Sequence, residues 1–175
     1  ILLGIAFLFK IVAVFDFAAF CTFIFMINTE IPRKKINIGK LSQQTIILLY
    51  PFVIGFIIPL LLTSLFFLGA PFKYFVQATF VQNVGYVGYG NKLLIPQGFL
   101  ILKLLILAGF NTYLFLRKEK FSKALLFVLV WFSFSIFNAF FAQRPYTHYL
   151  LVLLPGISLM IGMISFERKY KPQLA

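Results

Sequence analysis

Five stretches of this chain stay apolar for close to the roughly 20 residues that a helix needs to cross a hydrocarbon layer about 30 Å thick. The first ends at Ile27 and begins between Leu2 and Ile11, interrupted by Lys10 and Asp16, and the second runs from Thr45 to Gly69 with Pro51 and Pro59 as expected kinks. The third covers Leu93 to Leu116 with Lys103 inside it, the fourth Phe121 to Ala142, and the fifth starts at Pro145 or Tyr149 and ends at Phe166. Composition agrees. A chain that is 62% hydrophobic and 11% charged does not suit a water-facing surface, and 25 Phe with 8 Tyr exclude the aromatic-poor composition of disordered chains. Its single cysteine, Cys21, excludes an internal disulfide and a zinc-type ligand spacing. The expected fold is an all-α, polytopic transmembrane bundle of about five spans plus one interfacial helix. The chain opens at Ile1 inside an apolar run, without an initiator Met or a charged leader, so it is expected to be a piece of a longer protein.

A net charge of +12 would suggest nucleic acid in a soluble protein, but these charges fall between apolar runs. Alternating five spans sends Arg33, Lys34, Lys35, Lys40, Arg117, Lys118, Lys120, Lys123, Arg168, Lys169 and Lys171 to one side and only Lys73, Lys92 and Arg144 to the other. Cytoplasmic loops are enriched in Lys and Arg, so the first group is expected to be cytoplasmic. Topology and attraction to anionic lipid then account for most of the charge, with no role for nucleic acid.

Between the second and third runs, Phe72, Phe75, Val76, Thr79 and Phe80 follow the spacing of one helical face, with Pro71 suited to a first helical position. Lys73, Gln77 and Gln82 fall away from that face. This predicts a helix lying in the membrane interface. The following Gly85-Tyr86-Val87-Gly88-Tyr89-Gly90-Asn91-Lys92 lacks the order of a phosphate-gripping loop, so its glycines are expected to serve turns and its tyrosines to sit at headgroup depth. Helix and loop together cover about 71–92.

Chemistry-bearing residues concentrate in Arg144-Pro145-Tyr146-Thr147-His148-Tyr149. If Pro145 opens the fifth helix, that helix aims its unpaired N–H groups outward beside the Arg144 guanidinium, which makes an anion seat. Continued helical geometry would put Arg144 and His148 on one face, flanked by Tyr146 and Tyr149. The competing reading is that Arg, His and two Tyr form an interfacial belt. Lys103, about ten residues into its run, is expected to face the protein interior with Asp16 as its intramembrane counter-ion, Lys10 being an alternative partner for Asp16. No catalytic residue is assigned: His148 and Asp16 are the only outer groups capable of acid–base work, because Glu30, Glu119 and Glu167 fall on the cytoplasmic side. Nothing in the pattern calls for a metal or an organic cofactor.

Arg-x-x-x-His-Tyr with a proline seven residues after the His, here Arg144, His148, Tyr149 and Pro155, resembles the late-span motif of bacterial GT-C membrane glycosyltransferases. These are the relatives of dolichyl-phosphate-mannose protein mannosyltransferases and of the aminoarabinose transferase of lipid A. The opening Gly4-Ile5-Ala6-Phe7-Leu8-Phe9-Lys10 is similar to the Gly-x-Ala-x-x-x-Lys run before a middle span in the same proteins, and Asn83 with Tyr86 resembles an Asn-x-x-Tyr found between the two motifs. The resemblance extends across nearly all of residues 1–175. It implies the C-terminal transmembrane portion of a bacterial plasma-membrane enzyme that moves a sugar from a polyprenyl-phosphate donor to an extracytoplasmic glycan, lipid or protein acceptor. The catalytic carboxylate of such an enzyme lies in an upstream loop outside this sequence. Arg144, His148, Tyr149, Lys73 and Lys92 would hold the donor phosphate, and Tyr146, Tyr86, Tyr89 and Asn83 would contact sugar or lipid. The rival readings are a transporter or flippase fragment for a lipid-linked anion, with Lys103 and Asp16 on its path, and a non-catalytic membrane scaffold.

Overall fold

The computed structural model of the chain describes residues 1–29, 38–82, 100–141 and 147–170, and their regular structure is all helical. Helix α1 (Leu2–Phe9) stops at Lys10, whose backbone is extended (φ −151°, ψ 111°), and a 3-10 turn at Ile11–Ala13 leads into α2 (Val14–Asn28). Helix α3 (Ile38–Phe66) stays helical through Pro51 and Pro59. The chain then turns at Gly69, where φ is 98°, a region open to glycine and strained for other residues, and enters α4 (Ala70–Val76) with Pro71 in its first turn. A π-helical turn, Gln77–Val81, continues α4. Helices α5 (Leu100–Leu116) and α6 (Lys123–Phe141) follow, then a 3-10 helix (Thr147–Leu153) that runs into α7 (Leu154–Tyr170).

Three segments, Ile11–Asn28, Thr45–Phe66 and Lys123–Phe141, are long and apolar enough to cross a membrane, and Leu100–Leu116 and Tyr149–Met163 are shorter apolar helices. The architecture is that of an integral membrane protein. The first, second and fourth apolar runs of the sequence are the three long segments, and the described parts of the third and fifth are the shorter pair.

Helix α6 is the centre of the bundle, packed against α2, α5, the 3-10 helix and α7. Val130, Leu126, Leu114, Ala19 and Met26 form its buried core. Lipid tails are as apolar as side chains, so helices in a bilayer associate through close packing and polar links more than through exclusion of water. Phenylalanine supplies much of that packing here. Phe20 and Phe23 meet Phe127 with ring centroids 5.4 and 5.2 Å apart, and Phe17 stacks on Phe52 and Phe56 at 5.0 and 4.1 Å. α1 crosses α3 at Gly4, where a Cβ would stand 2.2 Å from the Phe56 carbonyl oxygen, so the two backbones touch and only glycine fits. Gly4 is thereby a packing residue in the stretch that resembles the family run.

Three polar side chains inside the bundle, Asn111, Ser133 and Ser135, are tied to helix carbonyls. Asn111 Nδ2 donates to Leu107 O at 2.9 Å and across to Ser133 Oγ at 3.0 Å, while Ser133 and Ser135 donate back to Val130 O and Trp131 O. This is the local bonding by which such groups are accommodated in an apolar span. At the end of α2, Lys118 donates to Met26 O at 2.6 Å and to Thr29 O, two carbonyls that a helix terminus leaves without intrahelical partners. One of the basic residues assigned to topology therefore also caps a helix.

Candidate functional site

Antiparallel packing brings the start of α2, the start of the described α5 and the end of α6 to the same end of the bundle, opposite the Lys118 cap. Lys103 is in the first described turn of α5 and donates to Phe140 O at 2.7 Å, a carbonyl in the last turn of α6. A cation there meets the negative end of the α6 dipole. Asp16, in the first turn of α2, accepts the Trp131 Nε1 hydrogen at 2.7 Å. The expected Asp16–Lys103 ion pair is thus replaced by two separate hydrogen bonds. Each group has a partner on α6 instead: Lys103 takes a carbonyl that the helix terminus leaves bare, and Asp16 takes the indole N–H, which also needs an acceptor. Trp131 is the sole tryptophan and Asp16 the sole acid in the first and fourth runs, so their pairing was open to inference by elimination.

Lys10 also departs from a mid-span position. The helix breaks at it, its side chain is exposed, and its Nζ lies 5.6 Å from the centroid of the Tyr149 ring, within cation–π range. No local signal in the sequence joins these two residues. Tyr149 is held by the 3-10 helix, and the transition to α geometry at Leu154 falls beside Pro155, whose missing N–H suits the first turn of the new helix. The expected face shared by Arg144 and His148 falls on a segment whose first residues lie outside the described ones. Only the backbone of His148 is described; Arg144, Pro145 and Tyr146 lie outside the described residues.

A helix forms over the predicted segment; of its expected inner face Phe75, Val76 and Thr79 are half-buried, whereas Phe72 and Phe80 are exposed along with Lys73, Gln77 and Gln82. Phe75 stacks on Phe67 at 5.0 Å with the rings 9° from parallel, and Phe80 reaches Phe7 of α1 at 6.2 Å. Beside this contact Phe67, Pro71, Tyr74, Phe75, Ala78 and Thr79 line an apolar groove of about 510 Å³. Lys73 is on the same helix but not in that lining. Asn83, Tyr86, Tyr89 and Lys92 lie outside the described residues.

Two contacts thus converge on the C-terminal end of α1: Phe80 on Phe7, and Tyr149 under Lys10. They join the opening run, the helical segment 70–82 and Tyr149. An exposed ammonium over an aromatic ring can receive an anionic group, and an apolar groove an acyl or prenyl chain. No family model, curated protein or solved structure matches the chain.

Proposed function

We propose that this chain is a membrane portion, with five spans and an interfacial helix, of a GT-C-like glycosyltransferase that moves a sugar from a polyprenyl-phosphate carrier to an extracytoplasmic acceptor. Its part in the reaction is to hold the carrier's phosphate. The observation that supports this most is the 5.6 Å approach of Lys10 to the Tyr149 ring, because it unites the first and last stretches on which the family resemblance rests. Residues 139 positions apart in sequence have no local reason to meet. In the reaction the bond from the sugar's anomeric carbon to the phosphate oxygen breaks as a bond to the acceptor oxygen forms. The acceptor's proton passes to a base outside this chain. The leaving polyprenyl phosphate gains negative charge, and cations fixed beside it before the reaction lower the barrier. Arg144 is assigned the main role, with His148, Lys73 and Lys92 assisting and Tyr149 holding Lys10 at the rim; Tyr146, Tyr86, Tyr89 and Asn83 are assigned to contact with sugar or lipid.

A lipid-linked sugar assay on the full-length protein tests the assignment. Lys10→Gln and Tyr149→Leu are each expected to raise the donor KM about three- to fivefold with kcat changed less than about twofold, in keeping with a cation–π contact at an exposed rim. Donor KM values equal to wild type in both variants would remove this contact from the donor site.

A further inference from the structure

Between Lys10 and Asp16 the chain makes contact with α6 and with the 3-10 helix that follows it. Asp16 bonds Trp131 at 2.7 Å, Phe15 packs edge-on against Phe137 and Phe141 at 5.2 and 4.9 Å, and Lys10 covers Tyr149 at 5.6 Å. α6 and the 3-10 helix are also packed directly on one another. Of these contacts only the Asp16–Trp131 bond has the directionality to fix the rotation and height of α2 against α6, since ring packing tolerates sliding. Asp16 is half-buried, within an apolar span, and its bond is to a neutral donor. A carboxylate is an expensive acceptor for such a link in lipid, so its presence calls for a role.

We propose that Asp16 is a positioning residue: by locking Trp131 it sets α6 against α2 so that the 3-10 helix presents Tyr149 to Lys10. The function of that pair rests on the reading above, but the lock itself is a property of the fold. Asp16 touches no substrate in this proposal and acts through α6. An asparagine side-chain oxygen can accept the same indole N–H, through a weaker bond than a carboxylate makes, so the geometry of the lock survives removal of the charge.

The test uses the full-length protein in nanodiscs, with Asp16→Asn, Asp16→Leu, Trp131→Phe and the Asp16→Leu/Trp131→Phe double variant. Amide hydrogen exchange is followed over residues 147–153 and, as a reference, over 45–66. Asp16→Leu and Trp131→Phe are each expected to speed exchange in 147–153 by about tenfold, the double variant no more than either alone, and Asp16→Asn to stay within about threefold of wild type, with 45–66 unchanged throughout. A bulk loss of stability would instead accelerate both regions. The proposal is overturned if Asp16→Asn behaves like Asp16→Leu, if the two single effects multiply in the double variant, or if 147–153 does not respond. Because exchange requires no ligand, coupled exchange in a protein that transfers no sugar would refute the enzymatic reading and leave the lock standing.

Discussion

Replacing Arg144 with alanine in the full-length protein is expected to cut sugar transfer by about 10²- to 10³-fold while membrane insertion proceeds normally, the scale associated with losing one preorganised group at a developing anion. The size follows from the chemistry of the leaving group. A sugar phosphodiester carries less charge than the monoester it becomes, so a guanidinium beside it binds the transition state and product more strongly than the ground state. Arg144→Lys should recover only part of the rate, because an ammonium keeps the charge and loses the two-pronged geometry that matches phosphate oxygens. Comparison of kcat with donor KM checks the assignment: kcat should fall more than KM rises. Turnover at the wild-type rate in the alanine variant would take Arg144 out of the active site.

The second large effect concerns the fold. A Cβ at residue 4 would stand 2.2 Å from the Phe56 carbonyl oxygen and 3.0 Å from its carbonyl carbon, and neither atom can move without parting α1 from α3. Gly4→Ala is therefore expected to cost about 3 kcal/mol, at the upper end for overpacking, because the clash is with backbone. A Cβ at Gly156 meets the Phe132 side chain, 2.7 Å away at its nearest ring carbon, and a ring can rotate; Gly156→Ala is expected to cost about 1 kcal/mol. Unfolding in mixed micelles checks both. Equal costs at the two sites would mean that α1 does not lie against α3 as described.

Much of the helical framework is legible in the apolar runs, since the long segments at Ile11–Asn28, Thr45–Phe66 and Lys123–Phe141 fall within or beside the stretches picked out by length and hydropathy. The α4 helix is legible as well, from the period of its phenylalanines and from Pro71. What escapes such counting is where a polar residue stands along a span. Lys10 and Lys103 interrupt apolar stretches and so appear to be mid-membrane charges, yet one marks a helix break and the other caps the end of a neighbouring helix. Run length cannot separate a buried charge from one at a helix end, because the flanking residues are apolar in both cases. The 3-10 form of Thr147–Leu153 has no signature either, its residue types being equally at home in an α-helix. Tertiary pairs follow the same division. The meeting of Lys10 with Tyr149 depends on packing that no local pattern encodes, whereas Asp16 with Trp131 was a match between two uncommon groups that each needed a partner.

That the outer cations gather to hold a lipid-borne phosphate is tested most directly by photocrosslinking. The probe is a polyprenyl phosphate carrying a diazirine close to its phosphate, added to the full-length protein in nanodiscs and mapped by mass spectrometry. The account predicts labelling within residues 1–13 and 142–153, suppressed by unlabelled polyprenyl phosphate and not by an equal amount of phosphatidylglycerol. Labelling confined to α5 and α7 away from Tyr149, or equal suppression by both lipids, would contradict it.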